Sequence, residues 1–295
     1  MRSIHHTEKQ TWIQVALLVF VGALLCVSAF SLRTGQQNVR YPDADALKSM
    51  TNEEKAEEIA SYLSMDSFLL TGSEKTLVIL AQEAYLDDTN IYRFLQGPKS
   101  WANRCSWSGE WAEYYVNGNY FGSFGCGFCC MANIYSTLTP YVASPLDLYD
   151  LAIQVAGYEV TPQSGAIGWG ALKVTLQYCG FDCDVYYKPD DYATFQWQIG
   201  QSDSAIVLVC SANDATFWKS TSGHYVNIWN YDSTSDTVFL AEPGSPTNNG
   251  TRISLRYVYD ALKTTSKFQY LLVSDYDEEQ NQWLHDGIDD SWVAP

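Results

Sequence analysis

The sequence predicts an α+β fold with an antiparallel sheet, on three observations. Apolar residues recur at helical spacing early in the chain, short β-branched and aromatic runs follow one another later, and few helices interrupt those runs. Helices first and consecutive strands afterwards imply a sheet built from hairpins rather than from parallel crossovers.

The elements follow in order. Residues 1–11 precede an uncharged run, Trp12 to Leu32, flanked by Arg2 and Lys9 before it and Arg33 after it. Its length suits a hydrocarbon core about 30 Å thick, so residues 12–32 are expected to be a transmembrane signal-anchor. The alternative is a signal peptide cut near Val27-Ser28-Ala29. Both routes export the rest of the chain and give it a membrane or secretory context. Cys26 raises a lipoprotein reading, but Leu25 stands where a small residue is wanted. Residues 33–99 read as a polar stalk and a helical region, with two or three helices over about 44–96, closed by the breaker Gln96-Gly97-Pro98. Residues 100–274 form the main domain. Within it CGFCCMANIYSTL is a helix after a glycine-rich approach. Ser144-Pro145-Leu146-Asp147 opens another with an N-cap serine, a first-turn proline and an acidic residue three on. WGALKVTLQYCG is a third, closed by Gly180. Strands are expected at CDVYY, SAIVLVC, HYVNIWNY, DTVFLAE and FQYLLV, with a short helix near Tyr257 to Lys263. Residues 275–295 form an acidic tail without periodicity, in which Trp283 and Trp292 offer apolar docking points.

Charge excludes one class of partner. With a formal net charge of -17 and 17 basic residues in 295, the chain lacks the clustered Lys and Arg that nucleic acid requires. Of the 8 cysteines, Cys26 lies in the apolar run, which leaves an odd number outside it and at least one thiol without an intrachain partner.

Three of those cysteines, Cys126, Cys129 and Cys130, fall in FGCGFCCM. A zinc site would need Cys126 and Cys129 together with Cys179 and Cys183, but these sit among apolar helix neighbours rather than on knuckle turns. A Cys179–Cys183 disulfide is a further alternative. No metal and no cofactor is expected. Position favours Cys126 as a nucleophile, because it stands where a glycine-rich loop becomes a helix and the positive end of the dipole stabilises a thiolate. Cys129 and Cys130, one turn further in, read as small buried hydrophobes. A thiolate catalyst needs a base. Among 4 histidines, His5 and His6 precede the apolar run and His285 lies in the tail, so His224 alone belongs to the domain. A hairpin turn centred on Ser233 sets His224 opposite Glu242, whose carboxylate would orient the ring. Because a slip of one residue would turn Glu242 away, Asn230 and Asp232 stay as lesser candidates, with ordinary turn chemistry as their default role.

A Gly-Cys-Gly helix start, a Gly-His strand and an acidic-Pro step after the next strand together resemble the papain-like double-glycine leader peptidases that process bacteriocins. Stand-alone membrane-anchored relatives of that family are the closer likeness, over roughly Ser100 to Val273. The resemblance implies a papain-like fold and a bacterial cysteine peptidase acting on a peptide or protein substrate, with Cys126 as nucleophile, His224 as base and Glu242 as orienter. Three positions depart from the pattern. Phe128 stands where proline is common, Glu242-Pro243 replaces Asp-Pro, and no glutamine lies between Lys99 and Cys126 to complete an oxyanion hole. Asn119 is the candidate donor in its place, beside the Cys126 backbone N–H. Two other readings stay open: a catalytically weak or silent module that binds a peptide or surface partner, and a cell-wall amidase or endopeptidase. Oligomeric state is not readable.

Overall fold

The computed structural model describes residues 88–211, 217–288 and 292–295, which belong to one unit, Asp88–Pro295. The expected signal-anchor and stalk lie outside the described residues. Among the described residues no helix is long and apolar enough to cross a membrane.

The architecture is α+β. After a 3-10 turn at Asp88–Asn90 come α1 (Pro98–Ala102), a second 3-10 turn (Glu110–Glu113), a ribbon of β1 (Tyr115–Val116) and β2 (Asn119–Tyr120), and α2 (Phe121–Phe124). Three longer helices follow: α3 (Cys126–Leu138), α4 (Pro145–Ala156) and α5 (Trp169–Tyr178). The rest alternates: β3 (Cys179–Tyr186), α6 (Tyr192–Ile199), β4 (Ser204–Val209), β5 (His224–Asp232), β6 (Thr237–Ala241), β7 (Thr251–Ser254), α7 (Leu255–Ala261) and β8 (Tyr270–Asn281). The six strands β3 to β8 pair antiparallel in the order β3-β8-β4-β5-β6-β7.

Period-two alternation divides the core. Ile206, Leu208, Tyr225, Trp229 and Phe239 face one cluster with α3, α4 and α5, whereas Ala205, Val207, Val226, Ile228 and Leu240 face another with α6 and α7. The sheet is therefore covered on both sides. From Cys126 to Ser136 every residue of α3 is buried, so this helix is the spine of its layer rather than an amphipathic surface element. Ser144 caps α4 through the expected reciprocal box with Asp147.

Several expectations are corrected. Residues 91–97 are extended, not helical. Their backbone groups are satisfied across the molecule: Tyr92 N–H by Thr137 Oγ1, Phe94 N–H by Asn133 Oδ1, Leu95 N–H by the Trp107 carbonyl and Gln96 N–H by the Pro243 carbonyl. Ile91, Phe94 and Leu95 are fully buried there, and that burial overrides helix propensity. Helix α5 ends at Tyr178, and Gly180 belongs to β3 instead. Its φ of +86° and the approach of the Asp277 carbonyl to where a Cβ would stand require glycine. Strand β8 runs past the boundary drawn after residue 274, where Asp275, Tyr276 and Asn281 pair with β3 across a break in register. Beyond it the tail is docked. Trp283 packs on Tyr135 with ring centroids 5.0 Å apart, and Trp292 lies 5.5 Å from Phe94 and 5.8 Å from Trp107.

Candidate active site

The site assembles at one end of the sheet, from the first residue of α3, the first residue of β5 and the residue after β6. Cys126 heads α3 behind Gly125, with no side chain capping the helix, and is 8% exposed. The first turn lies against β5: a Cβ on Gly127 would meet Ile167 at 2.5 Å and the Tyr225 ring at 3.4 Å. Only a glycine lets α3 come this close.

His224 heads β5, with its side chain 14% exposed. Its Nε2 is hydrogen-bonded to Glu242 Oε1, and the Cys126 sulfur also interacts with the ring. The sulfur additionally lies 3.9 Å from the Phe124 carbonyl. Burial opposes a charge on the imidazole. The Glu242 carboxylate and the Cys126 sulfur outweigh it, and the pKa rises from 6.5 to about 10.

Glu242 is 2% exposed and fully engaged. Its Oε1 also accepts from the Gly244 N–H at 3.0 Å, and its Oε2 accepts from Trp218 Nε1 at 2.7 Å. Burial works against its charge, but His224, Trp218 and the Gly244 N–H together hold the carboxyl below its ordinary value. Its backbone is fixed as well, since Glu242 N–H donates to Asn249 Oδ1 at 3.0 Å and Asn249 Nδ2 donates to the Arg93 carbonyl at 2.7 Å. The extended segment 91–97 thus braces the carboxylate. Cys129 and Cys130 are wholly buried, and burial followed by the neighbouring Cys126 pushes both thiols well above the usual range.

The hairpin register differs from the expected one, so His224 and Glu242 are not directly opposite, but their side chains still meet. A turn centred on Ser233 would set Ala241 opposite Tyr225, but Ala241 faces Asn227. The shift is two residues, an even number, so His224 and Glu242 keep a common side of the sheet. A bulge between Trp229 and Asp232 absorbs the extra residue, with Asn230 at a φ of +46°.

The other candidates lie elsewhere. Asn230 Nδ2 donates to Asp88 Oδ1, and Asp232 accepts from the backbone N–H groups of Thr234 and Ser235 in the turn. Both sit at the end of β5 remote from His224. Asn119 Nδ2 donates to the carbonyls of Asn117 at 3.1 Å and Thr161 at 3.0 Å, on the β1–β2 ribbon. Among the described residues the cysteines are free, Cys179 and Cys183 included, and no three His, Cys, Asp or Glu side chains converge as a metal site.

Two residues that the sequence did not single out complete the geometry. Trp218 reaches Glu242 from the segment before β5, and no local pattern announces it. Gln96 is buried, with Nε2 donating to the Gly122 carbonyl at 3.0 Å and Oε1 unpaired among the described residues. Its side chain is tied to α2, which leads into Cys126, and its backbone N–H to Pro243, which follows Glu242. A signal for it existed in the paired Gln96-Gly97-Pro98 breaker, but it stands just outside the Lys99–Cys126 interval. No family model and no curated protein matches the chain.

Proposed function

We propose that the protein is a cysteine peptidase of papain-like fold, with Cys126 as nucleophile, His224 as proton carrier and Glu242 as orienting carboxylate. The observation that carries this reading is the contact of His224 Nε2 with the buried Glu242, with Cys126 near enough to add to the rise of the ring's pKa to about 10, which keeps it protonated at neutral pH. An imidazolium beside a sulfur at the head of a helix stabilises the thiolate.

The thiolate attacks the substrate carbonyl carbon, and the C=O electron pair moves onto oxygen. The Cys126 backbone N–H and Gln96 Nε2, which has one amide proton left after Gly122, are the donors proposed for that oxyanion. Collapse expels the amine, which takes the proton from His224, and a thioester remains. Neutral His224 then accepts a proton from water as the water attacks the thioester, and the carboxylic acid and thiolate are released. Glu242 keeps the ring in place throughout. Export and anchoring through residues 12–32 belong to the same proposal, on the strength of the uncharged run alone.

The test is hydrolysis of a fluorogenic peptide library by the intact chain, beside Cys126→Ala and His224→Ala. Cleavage lost in both, with a thioester trapped on Cys126 by mass spectrometry, is the expected result. Equal cleavage by Cys126→Ala would refute the assignment. Peptide binding without any thioester would move the protein to the class of silent binding modules.

A further inference from the structure

On the approach to His224 there is a cation that the chemistry above does not use. Lys263 follows α7, and its backbone N–H donates to the Leu208 carbonyl at 2.9 Å, beside Val209, the residue paired with His224 across β4 and β5. From there its side chain lies along Gly223, the residue before His224. A Cβ built on Gly223 would stand 2.7 Å from Lys263 Nζ, 3.3 Å from its Cδ and 3.6 Å from its Cε. The glycine leaves the room that the lysine occupies. Among the described residues this ammonium has no carboxylate partner, in a chain that carries 34 acidic residues against 17 basic ones.

The surroundings form a walled approach. Ser266 Oγ accepts from Trp169 Nε1 at 3.1 Å, which ties the Lys263–Ser266 turn to the first residue of α5. Trp169 stands edge-on to Tyr225, with centroids 5.0 Å apart, and Tyr225 OH donates to the Ile167 carbonyl at 3.1 Å. Gly223 and Gly168, on the two sides, are both exposed, and a Cβ on Gly168 would meet nothing within 4 Å. The ammonium thus lies beside the residue that precedes His224.

We infer that Lys263 selects substrates carrying a carboxylate next to the scissile bond, supplied either by an acidic side chain or by the chain's own C-terminus. This rests on the peptidase reading and adds the substrate class to it. Geometry and charge both support it. The ammonium is anchored at its base by α7 and β4, laid along backbone rather than waving in solvent, and it interrupts a negative field that would otherwise repel an acidic peptide. A charge-assisted hydrogen bond here is expected to be worth roughly 10- to 100-fold in kcat/KM.

The experiment uses the intact chain and matched peptides that differ only in Glu, Gln or Lys at each position flanking the cleaved bond, with free or amidated C-termini. The ratio of kcat/KM for Glu over Gln is measured in wild type, Lys263→Met and Lys263→Glu. The same peptides are also scored for protection of Cys126 from iodoacetamide, a readout that needs no turnover. The expected wild-type ratio favours Glu by roughly 10-fold or more, falls towards unity in Lys263→Met, and reverses towards Lys in Lys263→Glu. Preference confined to peptides with a free C-terminus would assign the carboxylate to the chain end, and preference retained after amidation to the side chain. Hydrolysis with the same ratio in all three proteins would overturn the inference while leaving the peptidase reading intact. If no peptide is cleaved but Glu peptides protect Cys126 in a Lys263-dependent way, the carboxylate site stands and the peptidase reading falls. No cleavage and no charge-dependent protection would overturn both.

Discussion

Glu242→Gln removes the charge that keeps His224 protonated while conserving the shape of the side chain. In the wild type, burial disfavours the imidazolium and the carboxylate more than reverses this, giving about 10 against an ordinary 6.5. At about 1.4 kcal/mol per pKa unit, that difference is about 5 kcal/mol in favour of the charged ring. With glutamine in place, burial is opposed only by the Cys126 sulfur, and the ring is expected to titrate at or below 6.5. Hydrogen bonding adds a second cost. The carboxylate accepts from His224 and Gly244 on Oε1 and from Trp218 on Oε2. An amide has one acceptor oxygen, so its NH2 group must face the Trp218 N–H donor to donor, at about 1–3 kcal/mol for the buried donor left unpaired. Adding Trp218→Phe to the same chain removes that donor, so the double variant should lose less than the sum of the two single losses. The assay is a titration of the imidazole Cε1–H resonance by NMR, paired with denaturant unfolding as a function of pH. Because the folded pKa of His224 is raised, its stabilisation is complete below 6.5 and is lost as pH rises through about 10. Glu242, held low, contributes above 4.5, and its share is lost as pH falls through its lowered folded value. Wild type should therefore lose stability relative to Glu242→Gln on going from pH 6.5 to about 10. A ring that still titrates near 10 in Glu242→Gln would refute the reasoning.

Trp218→Phe keeps an aromatic ring, smaller than the indole, and removes one hydrogen bond to Glu242. Its alkaline limb of kcat/KM should move to lower pH, whereas a merely structural role would lower the rate without moving the limb. Gln96→Ala deletes the proposed oxyanion donor and should reduce kcat by roughly 100- to 1000-fold, with Cys126 alkylation little changed. Asn133→Ala leaves the Phe94 N–H and the Asn227 amide without their shared partner, and should cost about 2–4 kcal/mol of unfolding free energy. Asp203 is raised to about 7 by burial and then by Asp275. Ionising it in the fold costs stability as pH rises through that value, so Asp203→Asn should raise Tm by at least roughly 2–4 °C above neutrality and by little in acid.

The helices and strands that bury one face or end at a cap were legible. CGFCCMANIYSTL is α3 to the residue, because a long apolar run between Gly125 and Thr139 has no competing reading. The strands around His224 and Glu242 were legible for the same reason, and their relation survived an even shift of register. Several features were not, α6 and β7 among them. The second half of β8 is paired only with β3 and exposes Asp275, Glu278 and Glu279, so it carries no alternating hydrophobic signal. The β1–β2 ribbon had a signal, Asn117-Gly118, with both residues at positive φ as a tight hairpin turn requires, but its strands are two residues long. Residues 91–97 read as a helix end because their partners, Thr137, Asn133, Trp107 and Pro243, are all distant in sequence. Trp218 and Gln96 join the site for the same non-local reason.

Those distant partners have a consequence for the order in which the protein is made. Ile91 to Gln96 leave the ribosome before the residues that satisfy their backbone, yet they brace Asn249 and, through it, Glu242. They are themselves covered by Trp292 from the last residues of the chain, and Val293 closes over Trp107 and Ser108 by backbone pairing. Domains otherwise tend to fold during synthesis from the N-terminus onward. Here the brace on the carboxylate is not complete until Asn249, and its cover not until Trp292 and Val293, have been made. A chain truncated before Asn249 would carry Cys126 and His224 with Glu242 lacking the brace that Asn249 and Arg93 give it, so the seat of the carboxylate is completed only after the strand that carries it.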